Sequence, residues 1–346
     1  MKKKTKKKIK RFILLLVFFA VVFFFSFFFD KNLFNNLKDT VVKEVNSVKE
    51  EVKSKVKEIE KYTKGKEEVP LTEADKIELT NDLMVFFLDV GQADSILIKS
   101  QDEYMLIDAG NNADGKKLVS YFNSLGITKF KYVFGTHAHE DHIGGLDDVI
   151  KNFKIDKFYM PDAPSTTTTY VEVLNALEKK NIKYSIPKIG SKLTFGDSNL
   201  EVIYVGDDNR EDLNDTSIVL KLTYKNISFL FTGDLTSNVE REIVSKNIKS
   251  TVLKVGHHGS KYSSSAVFLN QVDPKYAVIS CGKNNEYGHP HSVVVNKLEK
   301  LGATVFRTDL LGTVVALSDG DKIEFKYVNT DTDGDSNEKI WEICSW

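Results

Sequence analysis

The sequence predicts an α/β domain, β-sheets covered by helices, preceded by one N-terminal transmembrane helix and a helical stalk. Three observations carry this reading. From Leu83 onward, short runs rich in Val, Ile, Leu and Phe are interspersed with helical patterns, and such mixtures fold as sheets with helices on their faces. Ahead of them, Phe12 to Phe29 passes eighteen residues without a charge. All seven histidines fall into three short clusters, at 137–142, 257–258 and 289–291.

Residues 1–11, "MKKKTKKKIKR", hold seven lysines and one arginine with no acid. An eighteen-residue helix over 12–29 is about 27 Å long, close to the hydrocarbon thickness of a bilayer. The basic flank belongs on the cytoplasmic side, which places everything after Asp30 outside the cell membrane. A cleaved signal peptide would carry a shorter apolar core and a small-x-small site. "FSFFFDKN" supplies no such site, so an uncleaved single-pass anchor is expected. The run has no polar face, which excludes a surface-lying amphipathic helix.

Residues 30–79 read as a stalk and linker. Val41, Val45, Val48, Val52 and Ile59 recur at spacings of three, four or seven among lysines and glutamates, a helical stripe. Lys38 and Lys55 occupy seam positions, which argues for a solvated helix over a stable coiled coil. Gly65 and Pro70 mark the linker.

The domain spans 80–328. "LMVFFLDV", "SILIKS" and "EYMLID" read as three successive strands, "KKLVSYFNSLG" as a helix with a glycine stop, and "KYVFGT" as the next strand. "LEVIYV", "SIVLKLTY", "ISFLFTG", a helix from Asn238 and "TVLKVG" follow, then strand–helix pairs up to "KIEFKYV". In the tail, 329–346, Asp331, Asp333, Asp335 and Glu342 match calcium-loop positions. Ser336 stands where that loop needs glycine, so a polar turn before a last strand is the expectation. Two cysteines are too few for a disulfide framework. Cys281 closes the apolar run "YAVISC" and is expected as a buried thiol, with pairing to Cys344 left open.

The chemistry concentrates in "THAHEDHIGG", Thr136 to Gly145, at the end of an apolar strand. Imidazole and carboxylate suit zinc and related divalent metals. His137 and His139 alternate along extended backbone and can share one side. Asp141 and His142 are adjacent and can diverge toward two metals, while Gly144 and Gly145 free the backbone to start a helix beside the site. "FLFTGD" ends a further strand with Asp234, placed to bridge two cations. "LKVGHHGS" ends another with His257 and His258, of which His257, nearer the strand, is the preferred ligand. Strand ends let a rigid sheet hold ligands while loops shape the pocket.

This set resembles the metallo-β-lactamase superfamily, whose H-x-H-x-D-H motif appears as His137, His139, Asp141 and His142. More narrowly, "FLDVGQADSILI", "YMLIDAG", "THAHEDHIGGL", "NDTSIVLKL", "FLFTGD", "LKVGHHGS" and "YGHPH" look like the extracellular hydrolase domain of ComEC competence proteins. The resemblance spans Leu83 to Val328 and covers neither stalk nor tail. It implies a four-layer αββα sandwich, two divalent metal ions with a hydroxide between them, and hydrolysis of a phosphodiester or related ester. The chemistry of such a site agrees: Asp141 can serve as ligand and proton acceptor together, Asp108 is expected to orient the histidine loop from behind, and Asp94 also stands behind the ligands. One departure stands out: no histidine lies between His142 and His257, where many members place one. Asn214 or Asp215 is expected in its place, and oxygen ligands there make manganese plausible beside zinc. His289, with the start of a helix near Ser292, is expected to hold a phosphate or act in catalysis. Ser260 and Ser264 are expected to contact substrate.

Residues 80–346 hold 29 Lys and Arg against 37 Asp and Glu. That acidic balance disfavours strong nonspecific DNA binding, which comes from phosphate neutralisation. A local basic groove, with Lys254 and Lys261, is the remaining route. A membrane-anchored extracellular phosphodiesterase or DNA nuclease is the leading expectation. A hydrolase of another ester or amide (a teichoic-acid-like polymer, a lipid head group, a β-lactam) is the second, and a non-catalytic DNA-binding module the third. "PDAPSTTTTY", Pro161 to Tyr170, is expected as a loop over the pocket.

Overall fold

The computed structural model describes residues 82–328 and the backbone of a last strand, Trp341–Cys344. The run 12–29, the stalk and the acidic segment from Asp331 to Glu338 lie outside the described residues. Among the described residues, no helix is long and apolar enough to cross a membrane.

Two sheets form the frame. The strands β1 (Leu83–Phe87), β2 (Ser95–Ser100), β3 (Glu103–Ala109), β4 (Lys129–Phe134), β5 (Lys154–Tyr159) and β6 (Tyr184–Ser185) come first in the chain. Then follow β7 (Lys192–Phe195), β8 (Ser198–Tyr204), β9 (Val219–Tyr224), β10 (Ile227–Phe231), β11 (Val252–Lys254), β12 (Tyr276–Ile279) and β13 (Thr304–Arg307). The chain returns with β14 (Val314–Ser318), β15 (Ile323–Val328) and β16 (Trp341–Cys344). Among the described residues, one sheet has nine strands in the order 16-15-14-1-2-3-4-5-6 and the other seven, 13-12-11-10-9-8-7.

The run "LMVFF" shows why the strands read as continuous apolar stretches. Leu83, Val85 and Phe87 enter a core between the two sheets, where Leu200, Leu220, Phe229 and Val278 meet them. Met84 and Phe86 point the other way, under the helices Gly115–Ser124, Leu146–Asn152 and Thr168–Lys179, with Phe122, Val149 and Val173. Successive side chains face opposite sides of a strand, so a sheet covered on both faces needs apolar residues at every position. The second sheet repeats the arrangement. Leu230, Leu253 and Ala277 pack beneath Val239, Phe268 and Leu298 of the helices Ser237–Ile243, Ala266–Val272 and Ser292–Lys300. The result is four layers, helix–sheet–sheet–helix.

Each sheet combines an antiparallel part with a parallel part. Strands β3 to β6 run parallel in the first and β10 to β13 in the second. Parallel neighbours need crossover connections, and most of the covering helices are those connections. The loops after β3, β4, β10 and β11 leave from carboxyl ends of parallel or boundary strands, where open α/β sheets place their ligand crevices.

Candidate metal centre

Those loops bring four predicted residues together. Asp141, His142, Asp234 and His258 each offer a ligand atom, and all four atoms lie within 4.8 Å of one another. Asp234 sits between two imidazoles, with His142 Nε2 3.3 Å from one carboxylate oxygen and His258 Nε2 3.4 Å from the other. His258 Nε2 is also 3.3 Å from Asp141 Oδ2. His142 Nε2, His258 Nε2 and Asp234 Oδ1 are buried without a hydrogen-bond partner. Orphaned buried polar atoms are rare and costly, and three of them converging in a carboxylate–imidazole set fit a divalent cation.

The electrostatics have the same cause. Burial opposes charge on His142, but Asp234 and Asp108 outweigh it and hold the imidazole well above its ordinary range. His258 is raised likewise, against burial, by Asp234 and Asp94. Burial also opposes ionisation of Asp234, yet His258 and His142 bring its carboxyl well below the usual range. Without a cation the cluster is an ion-pair network in which protons stand where a metal would.

The other two predicted histidines form a separate pair. His137 Nε2 and His139 Nδ1 are 2.9 Å apart, which turns two nitrogens toward one point. Burial and the charge on His142 hold His137 well below the ordinary imidazole range, so it is neutral and able to ligate.

Behind the cluster, each ligand is oriented by a second group. Asp108 has a left-handed backbone, φ 58°. Its carboxylate accepts from Thr136 N at 2.8 Å and Thr136 Oγ1 at 2.7 Å, and contacts His142 Nδ1 at 2.8 Å. It thereby pins the first turn of the histidine loop. His258 Nδ1 faces Ser280 O at 3.0 Å and Asp94 Oδ1 at 3.4 Å. Fixing one ring nitrogen in this way aims the other at the metal position. Gly144 and Gly145 serve close approach and not a special dihedral, for both are right-handed helical. A Cβ on Gly144 would lie 2.3 Å from the backbone of Asn111 and Asn112, and one on Gly145 2.4 Å from Ala109 O.

Several sequence expectations are corrected. His258, not His257, joins the cluster; His257 Nε2 reaches Asp234 only at 3.9 Å. Both have φ 52°, and this left-handed turn carries the second ring inward. Asp215 does not join either, because its carboxylate accepts from Thr236 N at 3.0 Å. Asn214, by contrast, keeps a buried, unpartnered Oδ1. Ser260 and Ser264 are each 1% exposed, so neither presents a hydroxyl to a solute. Lys254 cannot line a DNA groove, since it is buried and its Nζ lies 2.7 Å from Asp94 Oδ2. In "PDAPSTTTTY" a helix already starts at Thr168, capped by Thr167, which leaves only the first part as loop. Cys281 is a free buried thiol, and burial and Asp309 push it up to about 12.

Sequence reasoning missed Gln92. Its Oε1 accepts from Gly282 N at 3.1 Å, so its amide nitrogen donates to His289 Nδ1 at 3.3 Å. That leaves His289 with its proton on Nε2. Burial and the neighbouring His258 and His257 depress it to about 4. His289 is therefore a neutral hydrogen-bond donor at pH 7. The polar residues of "GQADS", sitting between two apolar strands, were the available signal.

The sequence profile of the Metallo-beta-lactamase superfamily matches residues 88–283. ComE operon protein 3 of Bacillus subtilis is 32% identical over 256 residues, covering 68% of this chain and 33% of its own length. Competence protein ComA of Neisseria gonorrhoeae is 32% identical over 250 residues, covering 68% and 32%. The chain thus spans about a third of the length of these curated relatives. Among solved structures, the metallo-β-lactamase fold protein YhfI from Bacillus subtilis aligns with a TM-score of 0.48 at 13% identity, over 68% of this chain and 100% of that one.

Proposed function

Because the chain belongs to the metallo-β-lactamase superfamily, we propose that its metallo-hydrolase fold acts on phosphodiesters, with DNA the leading substrate. The observation that carries this is the four-residue cluster, three of its members buried with inward, unpartnered ligand atoms. Asp141, His142, Asp234 and His258 would hold one divalent cation, and His137, His139 and Asp234 are the residues for a second, zinc or manganese. When bound, two such cations supply positive charge to an attacked phosphoryl group and acidify water beside it.

The chain's own residues divide the remaining work. Asp234, with a side chain 3% exposed, holds its two imidazoles apart, whereas the Asp141 side chain is 31% exposed. Asp141 is thus the carboxylate of the set that solvent reaches; burial opposes its ionisation, but His258 and His142 hold it well below the usual carboxylate range, as an anion. His289, protonated on Nε2, donates a hydrogen bond to a phosphate or leaving oxygen. Lys254 and Asp94 hold His258 in register. We also propose that residues 12–29 anchor the chain in the membrane with the hydrolase domain outside the cell, on the strength of their uncharged run and basic flank.

The test uses the full chain in detergent, stripped of metal and reloaded with zinc or manganese. Cleavage of single-stranded DNA, double-stranded DNA and bis(p-nitrophenyl) phosphate is followed, with Asp141→Ala and Asp234→Ala as controls. Metal-dependent DNA cleavage lost in both variants is the expected result. Turnover of the small diester alone would move the substrate to a wall polymer or a lipid head group. DNA binding without turnover under any metal would leave a binding module.

A further inference from the structure

Three aromatic rings form a stack from the surface to the metal cluster. Tyr287 lies on His289 with centroids 5.5 Å apart and planes at 22°, and His289 lies on His258 at 6.3 Å and 26°. His258 is 2% exposed and belongs to the cluster, whereas Tyr287 is 69% exposed. Tyr287 therefore presents an open ring face at the outer end of the stack.

The ring is held in place by a stiff turn. The Asn285 side-chain amide donates to Gly282 O at 2.8 Å and to His289 O at 2.5 Å. Its Oδ1 accepts from the backbone N–H of Tyr287 at 3.1 Å and of His289 at 2.9 Å. One side chain thus sets the position of both stacked residues. The rim continues in the same chemistry. His291 lies 5.1 Å from His289, and its Nδ1 accepts from Lys261 N at 3.2 Å. Lys261 Nζ sits 5.2 Å over the ring of Tyr262, itself 65% exposed. Exposed rings beside a cation, next to a phosphodiester site, are the parts of a single-strand binding surface.

We propose that Tyr287 is a base-stacking platform. It takes the planar base of a nucleotide adjoining the phosphate at the metal cluster, and so directs the site to single-stranded nucleic acid. Bases in a duplex are stacked on one another and offer no free face to such a ring. The proposal rests on the phosphodiester reading above and names its substrate class. It also supplies what the acidic domain lacks, for stacking holds a strand without phosphate neutralisation.

The experiment measures fluorescence anisotropy of the metal-loaded full chain with two uncleavable phosphorothioate oligomers of equal length, oligo-dT and an abasic strand. Cleavage of unmodified oligo-dT is followed separately. Tyr287→Ala is expected to weaken oligo-dT binding about 5- to 100-fold and to leave abasic binding unchanged. Tyr287→Phe and Tyr287→Trp are expected to bind like the native chain. Equal weakening toward both oligomers, no weakening at all, or native binding that ignores the bases or is absent would each overturn the proposal. Base-dependent binding that Tyr287→Ala abolishes, without cleavage of DNA under any metal, would remove the hydrolytic reading and leave the platform. Cleavage with no preference for bases would do the reverse.

Discussion

Lys254 Nζ lies 2.7 Å from Asp94 Oδ2, and both side chains are essentially sealed from solvent. The other oxygen of the same carboxylate is 3.4 Å from His258 Nδ1. Burial opposes ionisation of Asp94, but Lys254 and His258 outweigh it and bring its carboxyl down to about 2. A lysine in one strand of the second sheet therefore sets the charge that orients a predicted metal ligand.

Lys254→Met should leave a buried carboxylate without its countercharge, at about 3–5 kcal/mol of stability. The same change should lower metal affinity about 10- to 100-fold, since Asp94 would no longer be held on His258. Asp94→Asn combined with Lys254→Met should recover part of the stability, because neither charge is then buried alone. Urea unfolding of the native chain and the two variants decides it; a Lys254→Met midpoint equal to the native one would remove the pair from the account.

His258→Ala and His257→Ala should differ in metal content. The first removes an atom from the four-residue cluster, whereas the second removes a ring 3.9 Å from Asp234 and outside that cluster. Metal analysis after dialysis should show His258→Ala losing about one equivalent and His257→Ala keeping its complement. The opposite pattern would return the role to His257.

Metal affinity should rise with pH. In the metal-free chain His142 and His258 hold protons past the ordinary imidazole range, because nearby carboxylates outweigh burial. A cation must displace those protons, so acid competes with it and alkali favours it until both imidazoles are neutral. Chelator competition between pH 6 and pH 8 should show affinity climbing by up to about tenfold per pH unit for each proton displaced. A flat profile would mean that the histidines are already neutral.

Gly144→Ala and Gly145→Ala should each destabilise the fold by about 1–3 kcal/mol or more, through overpacking against backbone. A thermal melt suffices. Tolerance of both changes would show that the turn after β3 can retreat from the histidine loop.

Some of the site was readable because it is local in the chain. His137, His139, Asp141 and His142 occupy six consecutive positions, so their proximity needs no tertiary information. Asp234 stood out as an acid closing an apolar strand. Lys254 did not, because a lysine before a loop reads as a surface cation, and only packing shows the carboxylate waiting for it. Ser264 read as a substrate contact, yet it is buried, with Glu240 accepting from its backbone N–H and Lys297 Nζ donating to its carbonyl at 2.9 Å.

The sequence by itself carried the texture of short apolar strands mixed with helices from Leu83 onward and the residue types of a metal site. Those follow from periodicity and from ligand chemistry, which are properties of short stretches. The tertiary structure alone decided which of two adjacent histidines turns inward, which acids are already engaged, and which lysine is buried. Each of those depends on a left-handed dihedral, or on a partner from a distant strand that competes for the same atom, and neither is written in local spacing.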